Sequence, residues 1–250
     1  MKSIAIVSAM HQELEAVLTQ MTDARPTLVA GRTFWVGQLH GQAVVAVLSR
    51  IGKVAATTTA TVLAERFGVG RIVFTGVAGG LGPGVRVGDV VVADSFMQHD
   101  LDVSPLFPRY QVPLYGLARF ATEPGLTQAL VQAAKLTLAD PVAALGADAL
   151  AEFGLDAPRV HQGLVVSGDR FVSTSQESLA LCEALPDALA VEMEGAAIAQ
   201  VCHDYGLPFA AVRTISDRAD DAAHADFTRF IGAVASRYSA VVVEHLLKSL

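Results

Sequence analysis

The chain has too few cysteines for a disulfide framework. Only Cys182 and Cys202 occur in 250 residues. Neither belongs to a Cys-x-x-Cys pair, and His203 beside Cys202 is not at metal-ligand spacing. Both are read as buried thiols in a reducing compartment. Charge is scarce too: Asp, Glu, Lys and Arg make up 17% of the chain, with a formal net charge of −7. No Lys/Arg cluster occurs, which excludes the electrostatic footprint of a nucleic-acid-binding protein. No apolar run approaches the roughly 18 residues of a membrane span. The apolar start, SIAIVSAM, is too short for a signal peptide and reads as a strand. A cytoplasmic protein acting on a small neutral or anionic ligand is the expectation.

What the chain does have is apolar residues, 52% of the total, and 21 glycines, the composition of an enzyme with a large buried sheet. Strands are predicted at 3–8, 33–39, 42–48, 71–76, 89–96, 159–167, 188–192 and 208–216. Helices are predicted at 11–21, 53–67, 127–139, 175–185, 195–205 and 226–249, from apolar spacing and terminal signals. His40-Gly41 marks a hairpin, and 100–120 reads as an ordered loop. Alternating strands and helices predict an α/β fold: a single-domain three-layer sandwich over 1–250, with a mixed, mainly parallel central sheet flanked by helices. The segment 140–158 is read as an insertion rather than a hinge.

Ligands of such sheets gather at the carboxyl ends of strands, and five strand-to-loop transitions carry unusual residues. SAMHQE (8–13) places Glu13 at a helix start, as a complement to the macrodipole or as a carboxylate at the mouth of the sheet. TGVAGGLGPG (75–84) has glycines that either make turns or let backbone approach a ligand. They run into another strand rather than a helix, against a dinucleotide loop. VSGDRF (166–171) puts Phe171 past a strand end, as a core residue or a stacking platform. AVEMEG (190–195) brings two acids to a strand–helix junction. Glu192 and Glu194 are read as facing opposite ways, so that one of them reaches a given ligand atom; helix-terminal charge is the alternative. In AVRTISD (211–217) Arg213 lies inside an apolar strand and requires an anionic partner. Asp217 at its end is placed to act as an acid, while Asp220 and Asp221 suit a solvated turn or cap.

These segments, in this order, resemble the methylthioadenosine/adenosylhomocysteine nucleosidases of the nucleoside phosphorylase superfamily. The likeness covers nearly the whole chain, through AM-x-x-E (9–13), IGKVAA (51–56), TG-x-AGGL (75–81), VGD-VV (87–91), SGD-x-F (167–171), VEMEG-AIA (191–199) and R-ISD-AD (213–220). The resemblance implies hydrolysis of an adenine nucleoside, with no metal or organic cofactor. It implies that Glu13 activates water, Arg213 helps to hold it, and Asp217, oriented by Ser216, protonates N7 of adenine. Glu194 would bind the ribose hydroxyls, with Glu192 and Met193 beside the sugar. Phe171 and Phe227 would sandwich the base, and Val172 backbone groups would read its edge. Met10, Val77, Ala78 and Gly79 would line the pocket. A homodimer is implied, with the 99–116 loop near the neighbouring active site.

The chain departs from the family at His11 and Gln12, where acids are common, and at Val77, where a small polar residue is usual. The 99–116 loop diverges after HDLDV. A phosphorylase on the same fold is the main alternative: Arg32 and Arg50 are candidate phosphate ligands, whereas Glu13 would repel phosphate. A non-catalytic nucleoside binder is the third reading, opposed by Glu13, Glu194 and Asp217.

Overall fold

The computed structural model describes residues 2–219 and 227–250. The chain begins with β1 (Ile4–Ser8) and α1 (His11–Leu18), followed by a meander of β2 (Thr22–Val29), β3 (Arg32–Leu39) and β4 (Gln42–Leu48). The β3–β4 turn is the expected one: His40 and Gly41 both have positive φ, 47° and 82°, as a two-residue hairpin requires. Helix α2 (Lys53–Glu65) leads to β5 (Arg71–Gly80), β6 (Val90–Gln98) and the short β7 (Phe120–Ala121). Helices α3 (Pro124–Ala139), α4 (Pro141–Leu145) and α5 (Ala147–Glu152) follow, then β8 (Val160–Ser167), α6 (Ser175–Ala184), β9 (Ala188–Glu192), α7 (Gly195–Tyr205) and β10 (Phe209–Asp217). Helix α8 (Phe227–Phe230) continues through a π-helical turn, Ile231–Ala235, into α9 (Ser236–Ser249).

Strand periodicity explains the layers. In β1, Ala5 and Val7 point to the face covered by α2 and α7, while Ile4 and Ile6 point to the face covered by α1, α3 and α9. Alternate side chains thus enter two separate cores, and a strand buried on both sides must read as a continuous apolar run. The sheet is mixed, as expected: β4, β1, β5 and β10 form one parallel block and β6, β8 and β9 another.

Three features go beyond the sequence reading. β2 is an edge strand with mostly exposed side chains. Its Pro26 and charged residues carry no apolar alternation, so only pairing with β3 reveals it. The glycine-rich stretch expected to leave the sheet at residue 76 instead continues β5 to Gly80. There it pairs with β9, Gly79 opposite Val191. That antiparallel pairing, with β10 against β6, closes β5, β10, β6, β8 and β9 into a ring. Asp220 and Asp221, with residue 226 of the last predicted helix, lie outside the described residues.

Helix α7 is seated closely enough to need a glycine. A Cβ on Gly195 would lie 2.2 Å from Cε1 of Phe96, and Phe96 is fully buried. Alanine is the better helix former by about 1 kcal/mol, yet the overlap outweighs that gain. Gly195→Ala is expected to destabilise the fold by about 1–3 kcal/mol, seen as a lower urea midpoint; an unchanged midpoint would mean that the Phe96 ring yields freely.

Candidate active site

At the carboxyl ends of β1, β5, β9 and β10 lies a hollow of about 700 Å³, counting its open mouth. Every site residue that the nucleosidase resemblance implies lines it except Glu13 and Arg213. Met10 comes from the β1–α1 junction, Val77, Ala78 and Gly79 from β5, and Phe171 and Val172 from the loop after β8. Glu192, Met193 and Glu194 come from the β9–α7 junction, Ser216 and Asp217 from the end of β10, and Phe227 from the start of α8. Ala9, Ile51, Arg170 and Val191 complete the wall. Each of these additions falls in a segment that the sequence singled out, though not as a site residue: Ala9 in SAMHQE, Ile51 in IGKVAA, Arg170 in VSGDRF and Val191 in AVEMEG.

Arg213 lies beneath the wall, with its side chain wholly inaccessible. Its required anionic partner is Glu192, with Nη2 donating to Oε2 at 2.5 Å. The guanidinium carbon stands 3.7 Å from the centroid of the Phe74 ring, a favourable cation–π placement. Gly76 is opposite Arg213 in the β5–β10 register. A Cβ there would come within 2.0 Å of Nη1, so this glycine makes room for the arginine rather than for a ligand. Gly79 does the same for the next residues: its Cβ would lie 2.8 Å from that of Ala219 and 3.1 Å from Oδ1 of Asp217. Nε and Nη1 of Arg213 are buried with no hydrogen-bond partner among the described residues.

Glu192 is saturated with donors. Oε2 also accepts from the N–H of Glu194 at 3.0 Å, and both oxygens accept from the N–H of Gly195 at 2.9 Å. The Ser167 hydroxyl donates to Oε1 and accepts from the N–H of Ala196 at 2.8 Å. Ser167 had been noticed only as a strand end. Glu194 keeps more freedom: Oε1 accepts from the N–H of Gly52 at 2.8 Å. Both carboxylates border the same hollow, which corrects the expectation that they face opposite ways. Side chains two apart share a face while the chain is extended. Burial, and then the neighbouring Glu192 charge, push the Glu194 carboxyl above its usual range, against the pull of Arg213.

Glu13 is fully buried, behind Ala9 and Met10 rather than at the mouth of the sheet. Oε2 accepts from the N–H of Met10 at 3.2 Å, so that oxygen caps the start of α1. Oε1 lies 3.5 Å from the hydroxyl of Ser239 in α9, a contact that no local pattern could have indicated. Burial raises its pKa to about 7, opposed by the Arg213 charge and by the hydrogen bonds. At the other wall, Oδ2 of Asp217 accepts from the Ser216 hydroxyl at 2.8 Å and Oδ1 from the N–H of Ala219 at 2.7 Å. Phe171 and Phe227 meet edge to face, centroids 6.0 Å apart.

Arg32 and Arg50 lie outside the hollow. Arg32 donates to the carbonyls of Ala30 and Ala55 at 2.9 and 3.1 Å, and Arg50 donates to that of Gly31. Among the described residues no cluster of His, Cys, Asp and Glu suits a metal ion, and no helix is long and apolar enough to cross a membrane. None of the 99–116 loop lines the hollow.

Comparison with known proteins identifies the family. The family model described as the phosphorylase superfamily matches residues 3–248. A 5′-methylthioadenosine/S-adenosylhomocysteine nucleosidase of Shewanella denitrificans is 36% identical, over 99% of each chain. The crystal structure of the nucleosidase of that name from Neisseria meningitidis, in complex with methylthio-immucillin-A, is 36% identical, covers 100% of both chains and superposes with a TM-score of 0.87. A futalosine hydrolase of Helicobacter pylori is 30% identical, with a TM-score of 0.83 over 100% of this chain and 98% of that one. The chain belongs to the 5′-methylthioadenosine/S-adenosylhomocysteine nucleosidase family, within the phosphorylase superfamily.

Proposed function

We propose that this protein hydrolyses the N-glycosidic bond of 5′-methylthioadenosine and S-adenosylhomocysteine, releasing adenine and a 5′-thio-substituted ribose. The reading rests above all on one observation: a single hollow has Asp217 on one wall, Glu192 and Glu194 on another, and Arg213 directly beneath. In this reading water is held by Nε and Nη1 of Arg213. Glu13 takes its proton as its oxygen bonds to C1′. The C1′–N9 bond breaks with its electron pair going to the purine, and Asp217 supplies a proton to N7. Glu194 holds the ribose hydroxyls, and Glu192 holds Arg213. Met10 and Met193 lie against the sugar, Val77, Ala78 and Gly79 form the floor, and Val172 borders the base. Phe171 and Phe227 stack on the adenine. Buried carboxylates around a developing oxocarbenium ion lower its energy.

The phosphorylase alternative is disfavoured because Arg170, the one Arg or Lys among the described lining residues, and Arg213 beneath them are already matched. Arg170 pairs with Glu177 and Arg213 with Glu192. We place the protein in the cytoplasm, in line with its two free thiols. We also propose a homodimer in which the 99–116 loop, with its exposed Leu106 and Leu114, closes the neighbouring hollow.

Three outcomes are expected. Adenine release from either nucleoside proceeds in phosphate-free buffer, and Asp217→Asn slows it by about 10²- to 10⁴-fold; strict dependence on phosphate, or full turnover by the variant, would defeat the assignment. Glu13 accepts a proton only when ionised, so kcat/KM should climb with pH and level off above its pKa of about 7. A profile already flat well below that value would remove Glu13 from the role. Light scattering should give about twice the 26.2 kDa of one chain; a monomer that is fully active would refute the shared site.

A further inference from the structure

The cations around the hollow fall into two classes. Arg213, Arg170 and Lys53 each have a carboxylate, from Glu192, Glu177 and Asp100 respectively. Arg32 and Arg50 have none among the described residues; both turn to backbone carbonyls of the β2–β3 turn. Arg32 is only 9% exposed, and its Nε has no hydrogen-bond partner among those residues. Burial and then the Arg50 charge lower its pKa, as expected for a cation pair without an anion. Arg50 itself is exposed and has φ of +65°, a left-handed conformation that a side chain other than glycine seldom adopts.

Strand register puts this pair beside the site. β4 runs parallel to β1, with Leu48 opposite Ser8. β3 runs back, with Phe34 opposite Val47, and Arg32 pairs with Val29. The β2–β3 turn therefore emerges at the end of the sheet that bears Met10, one strand beyond β4. The chain leaving β4 carries Arg50, then Ile51 in the wall of the hollow, then Gly52, whose N–H binds Glu194. A sugar held by Glu194 would lie against this segment, with an arginine two residues away.

We propose that Arg50, backed by the charge of Arg32, forms an anion subsite at the rim that binds a carboxylate on the 5′ substituent of the nucleoside. The inference rests on the nucleosidase reading and deepens it. The two nucleosides differ in this feature: the homocysteine tail ends in a zwitterionic amino acid whose carboxylate can meet the guanidinium while its ammonium faces solvent, and the methylthio group is neutral. The subsite adds affinity for the first and nothing for the second. Arg50 is exposed and its present contact is to a backbone carbonyl, so the guanidinium can exchange that carbonyl for a charged acceptor, a stronger partner.

The test is Arg50→Gly, a change that suits the left-handed backbone. Its kcat/KM for S-adenosylhomocysteine should fall about two- to fivefold, the range of a partly exposed ion pair, while that for 5′-methylthioadenosine stays constant. In the unchanged protein, added salt should erode the first value selectively, and calorimetry should show the same selective loss of S-adenosylhomocysteine affinity in the variant. Equal losses for both nucleosides, or an unaltered ratio, would overturn the subsite while leaving the nucleosidase function intact. Failure of the unchanged protein to release adenine from either would overturn the function itself.

Discussion

The ion pair between Arg213 and Glu192 governs the architecture of this site. A guanidinium with no solvent access survives only beside a carboxylate, and removing one member of such a pair typically costs about 3–5 kcal/mol. The pair imposes conditions on its surroundings. Gly76 must lack a side chain, and Phe74 must present its ring face. Glu192 must be held by Ser167 and by the N–H groups of Glu194 and Gly195 where α7 begins. These conditions involve β5, β8, β9 and β10, four of the strands that form the closed ring. The ring is therefore fastened at the position where the chemistry is placed.

One cation serves several acids. Glu13 and Glu194 both feel Arg213, but its guanidinium is hydrogen-bonded to Glu192. The remaining two carboxyls are consequently raised by burial, and the ordering follows from solvation rather than from residue type. This suits the proposed chemistry. A base whose pKa lies near neutrality is ionised often enough to act and still basic enough to take a proton from water. The same surplus of acid favours a cationic sugar over an incoming phosphate.

Much of this was legible in the sequence, for identifiable reasons. Strands buried on both faces leave continuous apolar runs, so the centre of the sheet could be read directly. A charged residue inside such a run, Arg213, announced a partner before the partner was known. Edge strand β2 escaped because pairing, not pattern, defines it. The glycines of β5 were left between turns and a ligand because sequence shows a missing side chain but not what fills the space; Arg213 fills it at Gly76, while Gly79 packs on Ala219 and also lines the hollow. Ser239 reaches Glu13 from the other end of the chain, and no local spacing encodes that. Glu192 and Glu194 were separated by a face argument that two-residue periodicity does not support.

The acid–base frame and the base-stacking residues differ in how far they are formed. Asp217, Glu192 and Glu13 are buried and fixed by short-range hydrogen bonds from backbone or neighbouring side chains. Phe171, by contrast, is 39% exposed, and its ring meets that of Phe227 at 71° with centroids 6.0 Å apart. Two rings stacked on opposite faces of one purine must be near parallel, and each needs its own stacking separation from the base. The observed pair is too tilted and too close for that. A purine entering between them has to turn at least one ring, while the polar groups can stay where they are. The recognition of a planar base is then completed on binding, against a catalytic frame that the fold has already set.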